Sequence, residues 1–141
     1  MSRFMLDTNT VSYFLRAHPS VTHRIKSEPM ELLGISAITE GELFFGLAKR
    51  PEARKLRNAV HEFLRRVEVS PWDSSAAAHY GQARADLEKR GRTLAPLDLL
   101  IASHAMSVDA TLVTSDQAFK QMAGLRVEDW TKALAKGRVK R

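Results

Sequence analysis

The sequence predicts a three-layer α/β/α fold with a central, mainly parallel sheet of four to five strands. Short apolar runs that resemble strands alternate with helix-like segments along the 141 residues, a pattern typical of parallel sheets. The hydrophobic content of 44% and the charged content of 27% are those of an ordinary globular protein. The length fits one domain. We therefore expect a single domain over residues 1–141, with a basic tail from about residue 132.

The first elements follow from a short apolar run and from capping residues. Residues 3–6 are apolar except at their start and predict a buried strand that ends at Asp7. A helix is expected next, ending near His18. Ser20 is a suitable cap for a second short helix that extends to about Lys26.

The middle of the chain predicts a second strand and two helices. Residues 32–36 form the strand, and Thr39 is a suitable cap for the helix that carries Glu42. Pro51 suits the first turn of the next helix. Apolar residues at three- and four-residue spacing predict that this helix is amphipathic and extends to Val67.

The remaining elements alternate in the same way and are separated by residues that favour turns. Gly91 is expected to end one of the helices, and residues 91–93 to form a connection. The predicted elements are a strand at 67–69, helices at 76–90 and 96–106, a strand at 110–114, a helix at 116–122, an edge strand at 126–128 and a terminal helix capped by Asp129.

The net charge of +6 and the isoelectric point near 10.0 favour a nucleic acid or an acidic protein as partner. The alternative is a protein that is merely basic, with a solvated tail. Five of the cations lie in that tail: Lys132, Lys136, Arg138, Lys140 and Arg141.

The chain has no cysteine, which excludes a disulfide framework, thiolate zinc sites and a cysteine nucleophile. The sequence contains no apolar run of the roughly 20 residues that cross a bilayer. The N-terminus is too short and too soon charged to be a signal peptide. We expect a protein of the cytoplasm without a membrane partner.

Four acidic residues are expected at one end of the sheet. Asp7 and Asp116 each follow a predicted strand, and open parallel sheets bind ligands beyond the carboxyl ends of their strands. Asp98 begins a nearly apolar helix, where a lone carboxylate must cap, pair or bind something. Glu42 lies early in the helix that follows the second strand.

Clustered carboxylates stay ionised only near cations, and oxygen ligands prefer Mg²⁺ or Mn²⁺. A carboxylate-held divalent ion can activate water and polarise a phosphodiester. Each acid also has a structural alternative. Asp7 and Asp98 suit helix caps, Asp116 suits the dipole of its own helix, and Glu42 is no better placed than Glu40.

Other chemistries have weaker support. The five histidines lack metal-binding spacing, and the sequence has no G-x-S-x-G, P-loop or G-x-G-x-x-G motif. Trp72, Trp130, Tyr13 and the Phe44-Phe45 pair are suited to stack on bases or, alternatively, to pack in the core or in a dimer.

Four blocks follow one another along the sequence: Met5-Leu6-Asp7-Thr8-Asn9, Glu42-Leu43-Phe44-Phe45-Gly46, Pro96-Leu97-Asp98-Leu99-Leu100-Ile101-Ala102 and Val113-Thr114-Ser115-Asp116-Gln117-Ala118-Phe119. In this order they make the sequence resemble the PIN-domain nucleases, and among them the VapC toxins of type II toxin–antitoxin modules. The resemblance extends from residue 3 to about residue 131, and the ending V-E-D-W is also similar.

The resemblance implies an endoribonuclease that depends on Mg²⁺ or Mn²⁺, forms a homodimer and is inhibited by a VapB-type antitoxin covering the acidic pocket. It implies structured RNA, such as tRNA, as substrate. The implied metal and catalytic residues are Asp7, Glu42, Asp98 and Asp116, with Asn9 and Thr114 as polar neighbours that orient them.

The antitoxin is expected on an apolar surface near Tyr13, Phe14, Phe44 and Leu47, although core packing also accounts for these residues. Three other functions stay open: ribosomal RNA processing, a non-catalytic domain that binds RNA or protein, and an aspartyl phosphatase. Asn9 argues against the phosphatase because it stands where a second aspartate is expected.

Overall fold

The computed structural model describes residues 3–133, which form five strands, six α-helices and two short 3₁₀ helices. The strands are β1 (Arg3–Leu6), β2 (Leu33–Ser36), β3 (Glu68–Ser70), β4 (Ala110–Val113) and β5 (Val127–Glu128). The α-helices are α1 (Thr8–Leu15), α2 (Pro19–Ser27), α3 (Ala37–Lys49), α4 (Arg54–Arg66), α5 (Ser74–Lys89) and α6 (Pro96–Ser107). The 3₁₀ helices are Met30–Leu32 and Gln117–Gln121.

All neighbouring strands pair in parallel, in the order β3-β2-β1-β4-β5. The carboxyl ends of the strands therefore lie along one edge of the sheet, called the carboxyl edge below. β1 and β4 are adjacent, with Leu6 level with Val113. This arrangement confirms the predicted fold and brings the residues after β1 and after β4 side by side.

A hydrophobic layer lies on each face of the sheet. In one layer, the four helices α1, α2, α3 and α4 pack against the strand residues Leu6, Ile35 and Val113 and against the buried Trp130. The other joins α5, α6 and the second 3₁₀ helix with Met5 and Leu112. Because adjacent strand residues point to opposite faces, Leu6 and Met5 enter different layers. The structure is therefore a three-layer α/β/α sandwich.

Local details differ from the sequence prediction where side-chain hydrogen bonds decide the helix ends. Ser36, not Thr39, caps α3, because its hydroxyl accepts a hydrogen bond from the N–H of Ile38. His18, not Ser20, caps α2 through its ring nitrogen. Pro51 lies in a turn before α4.

The segment after Asp116 is a single 3₁₀ helix rather than an α-helix. The terminal helix predicted after Asp129 is not formed at residues 130–133, where the chain makes a turn, and its remainder lies with most of the basic tail in residues 134–141, outside the described part of the chain. Within residues 3–133, no helix has the length and apolar character needed to span a bilayer.

Candidate active site

Asp7 is held rigidly at the end of β1, between the sheet and α1. Its backbone N–H donates to the carbonyl of Val113 at 3.1 Å, which continues the β1–β4 pairing. Its carboxylate caps α1 by accepting a hydrogen bond of 2.8 Å from the N–H of Thr10. The residue is only 5% exposed. Asp7 is thus a buried carboxylate with a fixed orientation at the carboxyl edge.

Thr114 connects Asp7 with Asp116. It is fully buried, and its hydroxyl bonds to the Asp7 carboxylate while accepting the N–H of Asp116 at 3.0 Å. The Asp116 carboxylate accepts the N–H of Ala118 at 2.9 Å and caps the 3₁₀ helix. The predicted role of Thr114 as an orienting neighbour therefore has a direct structural basis. Asp116 itself is exposed to solvent.

Glu42 approaches the site from α3, on the β2 side. Its carboxylate accepts a hydrogen bond from the hydroxyl of Thr8, which also lies 3.3 Å from the hydroxyl of Thr39. Since Thr8 directly follows Asp7, this contact fixes the second acidic side chain relative to the first. Glu40, the alternative at the sequence level, makes no side-chain hydrogen bond among residues 3–133.

Asp98 lies in the first turn of α6 and does not cap it, since α6 has no side-chain cap. Burial raises the pKa of this carboxyl, and the negative charges of Asp116, Asp7 and Glu42 raise it further. Asp98 is therefore close enough to each of the other three predicted acids to be repelled by it. The structure brings together all the acidic residues that the sequence singled out.

The pKa of Asp7 is also raised, chiefly by burial, and the charge of Asp116 adds to this effect. Hydrogen bonds from Thr114 and Thr10 oppose the shift, because they stabilise the ionised form. These hydrogen bonds thus stabilise the ionised Asp7 carboxylate at a position where burial and repulsion favour the neutral form. A bound cation would relieve the same repulsion.

The donor set fits a hard divalent cation, because it consists of carboxylate oxygens and contains no sulfur ligand. As the side chains stand, no three Asp, Glu or His residues within 3–133 are grouped tightly enough to enclose a metal. Glu42, Asp116 and Asp7 each use an oxygen for a protein donor, Thr8, Ala118 and Thr10 respectively, whereas Asp98 makes no hydrogen bond to a described residue. Asp7 and Asp98 are candidates for direct ligation, since a cation would offset the cost of burying their charge.

Sequence reasoning missed Thr8 and Thr10 and selected Asn9 instead. Asn9 is exposed, and within the described residues its side chain makes no hydrogen bond to an acid. Thr10 is buried and bonds to Asp7 and to the carbonyl of Val113. The sequence could have indicated Thr8 and Thr10 through their positions in the first turn of the helix that Asp7 caps, because hydrogen-bond donors there lie nearest the capping carboxylate.

We expect the metal-free protein to gain stability as the pH falls below neutrality. A carboxyl whose pKa is higher in the folded than in the unfolded state destabilises the fold when ionised, and this penalty disappears as the pH falls through the folded pKa. Asp98 and Asp7 are shifted upward from an ordinary value of 3.8. The gain in the free energy of unfolding should therefore occur at pH values above 3.8.

Urea unfolding in a chelator, at several pH values between about 7 and 5, measures this dependence for the wild type and Asp98→Asn. Burial lowers the pKa of His104, which makes the free energy of unfolding fall on acidification. Because His104 is present in both proteins, its contribution cancels when the variant is compared with the wild type. The variant should show the smaller gain on acidification. An equal or larger gain in the variant would contradict the assignment of repulsion to this site.

The fold is that of a PIN domain, and residues 4–125 match the family model of that description. The chain is 36% identical over 133 residues to the tRNA(fMet)-specific endonuclease VapC of Shigella flexneri, a match that covers 93% of this chain and 100% of the relative. It is 35% identical over 136 residues to ribonuclease VapC2 of Rickettsia felis, covering 92% and 98%.

Solved structures give the same answer. The structure of DNA-bound VapBC from Salmonella typhimurium contains a chain that superposes with a TM-score of 0.85 at 36% identity, covering 92% of this chain and 99% of that one. This chain belongs to the PIN-domain family and, within it, to the VapC family.

Proposed function

We propose that this chain is a divalent-metal-dependent endoribonuclease and the toxin of a VapBC-type toxin–antitoxin module, acting in the cytoplasm. The observation that carries the proposal is the clustering of four carboxylates at the carboxyl edge, where Asp98 is repelled by Asp116, Asp7 and Glu42, and Asp7 by Asp116. The names of the relatives, which include ribonuclease and endonuclease, support hydrolysis of RNA. A basic chain with an acidic centre suits a polyanionic substrate held by a metal.

The proposed mechanism assigns a task to each acidic residue. Asp7 and Asp98 would hold Mg²⁺ or Mn²⁺, and the bound ion would activate a water and polarise the scissile phosphodiester. Thr10 and Thr114 keep the Asp7 carboxylate ionised and oriented. Glu42 supplies a further carboxylate, either as ligand or as acceptor of the proton from the attacking water.

Asp116 completes the site from its exposed side. Because its backbone is fixed by Thr114 and its carboxylate caps the 3₁₀ helix, it is placed to act through a bound water rather than as a direct ligand. We propose structured RNA as the substrate class. tRNA is the first candidate because the name of one relative specifies tRNA(fMet).

Cleavage of RNA by the purified chain tests the function. Activity is expected with Mg²⁺ or Mn²⁺, is lost in a chelator, and returns when excess metal is added. Asp7→Asn, purified in the same way, separates this activity from a contaminating nuclease. Cleavage that persists in a chelator, or that is equal in the variant, would contradict the proposal and favour a domain that only binds RNA or protein.

The antitoxin surface that the structure favours is a groove of about 500 Å³ bounded by α1, α2 and α4. Phe14, Met30 and Phe63 supply apolar walls, and Lys26 and Glu62 lie among the charged lining residues. An amphipathic helix from a partner fits a groove of this kind. The solved neighbours are toxin–antitoxin complexes, which supports an antitoxin as the occupant.

The groove retains part of the predicted antitoxin surface. Phe14 lines it, whereas Tyr13 packs partly buried against the core. Leu47 is 8% exposed and belongs to the core, so its assignment to an exposed surface was wrong. Phe44 and its neighbour Phe45 are exposed on α3, at 44% and 61%. We propose this pair as the contact of a homodimer.

Charge placed in the groove should weaken antitoxin binding. Met30→Glu introduces a carboxylate at a half-exposed wall residue and is expected to lower affinity by at least about tenfold, since an unpaired charge in an apolar contact is costly. The measurement is titration calorimetry with the antitoxin of the proposed module. Phe44→Glu is the control on α3. If only the control weakens the complex, the partner binds α3 and the groove is misassigned.

A further inference from the structure

The end of α5 is bound to the segment that carries Asp116. Arg90 follows the last residue of α5, and its guanidinium donates to the carbonyl of Gln121 at 2.7 Å. The same guanidinium is held by Asp86, one turn earlier on α5, through contacts of 2.9 and 3.1 Å to one carboxylate oxygen. Arg90 is therefore positioned by its own helix and reaches across to the 3₁₀ helix.

Gln121 returns a second bond in the opposite direction. Its side-chain amide donates to the carbonyl of Thr93 at 3.3 Å, in the connection between α5 and α6, and to the carbonyl of Ala118 at 3.1 Å. Gly91, at φ +69°, makes the turn that starts this connection. Arg90 and Gln121 thus join the α5–α6 connection to the 3₁₀ helix at two points, and we call this pair the crossed bridge.

Each side of the crossed bridge leads directly to an acidic residue of the site. The α5–α6 connection runs into α6, where Asp98 occupies the first turn. The 3₁₀ helix that Gln121 ends is capped at its start by Asp116. Of the three charges that raise the pKa of Asp98, Asp116 is the largest. The bridge therefore ties together two backbone segments whose carboxylates push each other apart.

Resting on the proposed metal-dependent function, we propose that Arg90 and Gln121 are positioning residues that hold Asp98 and Asp116 at the spacing a divalent cation needs. Ligand groups must be fixed by their supporting residues if a metal is to bind without a cost in reorganisation. The crossed bridge supplies that support for Asp98, the one acid of the four whose side chain makes no hydrogen bond to another described residue. Thr114 joins Asp7 to Asp116, and Thr8 joins Glu42 to the Asp7 segment.

The direction in which removal of Arg90 changes the affinity for Mn²⁺ distinguishes a positioning role from a simple effect of its charge. The charges that act on Asp98 among the described residues are those of the other acids, so Arg90 does not serve as its counter-ion. If only the positive charge of the Arg90 side chain mattered, its removal should slightly strengthen the binding of Mn²⁺, because less positive charge would repel the metal ion. Loss of positioning should weaken binding instead.

The experiment measures Mn²⁺ binding to the whole chain by calorimetry in the absence of RNA. Arg90→Ala and Gln121→Ala are each expected to weaken binding about fivefold, less than the roughly 10–100-fold effect of residues that bond to a ligand directly. Lys89→Ala removes the same charge from the same helical turn and should not weaken it. Arg84→Ala breaks an ion pair with Glu88 on α5 that does not reach the 3₁₀ helix, and should also leave binding unchanged.

Unfolding in a chelator reports separately on the fold. Gln121→Ala keeps the guanidinium contact and serves as the test if Arg90→Ala does not fold. Binding by the folded variants that equals or exceeds that of the wild type would overturn the proposal, as would equal weakening in Lys89→Ala. If the wild type itself binds no Mn²⁺, the proposed metal site fails first. That result is distinct from a failure of the crossed bridge alone.

Discussion

Asp98→Asn is expected to lower the rate of RNA cleavage by about 10³-fold or more, which corresponds to about 4 kcal/mol of lost transition-state stabilisation. The amide keeps the shape of the side chain but removes the charge that holds the cation. The carboxyl is disfavoured in its ionised form by burial and by the neighbouring acids. The metal-free variant should therefore be at least as stable as the wild type, which distinguishes a functional residue from a structural one.

Single-turnover cleavage at saturating Mg²⁺ and urea unfolding in a chelator measure the two effects. Asp109→Asn is the matched control, because Asp109 lies at the start of β4, far from the carboxyl edge, and its left-handed φ of 56° is tolerated by asparagine. A fully active Asp98→Asn protein, or one that loses stability as well as activity, would contradict the account of this residue.

Trp130→Ala is expected to lower the free energy of unfolding by about 3–5 kcal/mol, the usual cost of truncating a large buried aromatic residue. Trp130 is 1% exposed and packs edge-on against Phe4, with ring centroids 5.0 Å apart. The guanidinium of Arg24 lies 4.5 Å from its ring centre, and its indole N–H donates to Glu128. Trp130 thus packs between α2, through Arg24, and the strand residues Phe4 and Glu128.

The same measurement on Trp72→Ala provides the comparison. Trp72 is half-buried and donates its N–H to the carbonyl of Leu100 at 3.0 Å, so its loss should cost less. Equal losses, or a loss at Trp130 below about 1 kcal/mol, would contradict the packing described here. A Trp130 that fills the core is also unavailable to stack on RNA bases, which settles one alternative left open by the sequence.

The sheet and the grouping of the acids could be predicted because both depend on local patterns. The short apolar runs ending at Asp7 and before Asp116 mark strands, and parallel pairing puts their carboxyl ends together. Knowing only that β1 and β4 are strands of one parallel sheet was therefore enough to place these two aspartates at one edge. Position alone does not select Glu42, since Glu40 is equally eligible, or assign Asp98 a role beyond capping; the family resemblance selects both.

The helix caps and the supporting hydrogen bonds could not be predicted in the same way. Ser36 and Thr39 are both good capping residues, and the choice depends on where β2 ends in the sheet. Thr39 turns inward, toward Thr8, which is 31 residues away in the sequence. The bond from Arg90 to Gln121 likewise spans 31 residues. Such contacts are created by tertiary packing and leave no periodic signal.

Diffraction from crystals soaked in Mn²⁺, with data collected at the manganese absorption edge, tests the central claim most directly. The account predicts an anomalous peak at the carboxyl edge, within ligand distance of the Asp7 and Asp98 carboxylates, and its absence in crystals of Asp98→Asn. A peak elsewhere on the protein, or no peak when the metal is saturating, would show that these acids do not form a cation site.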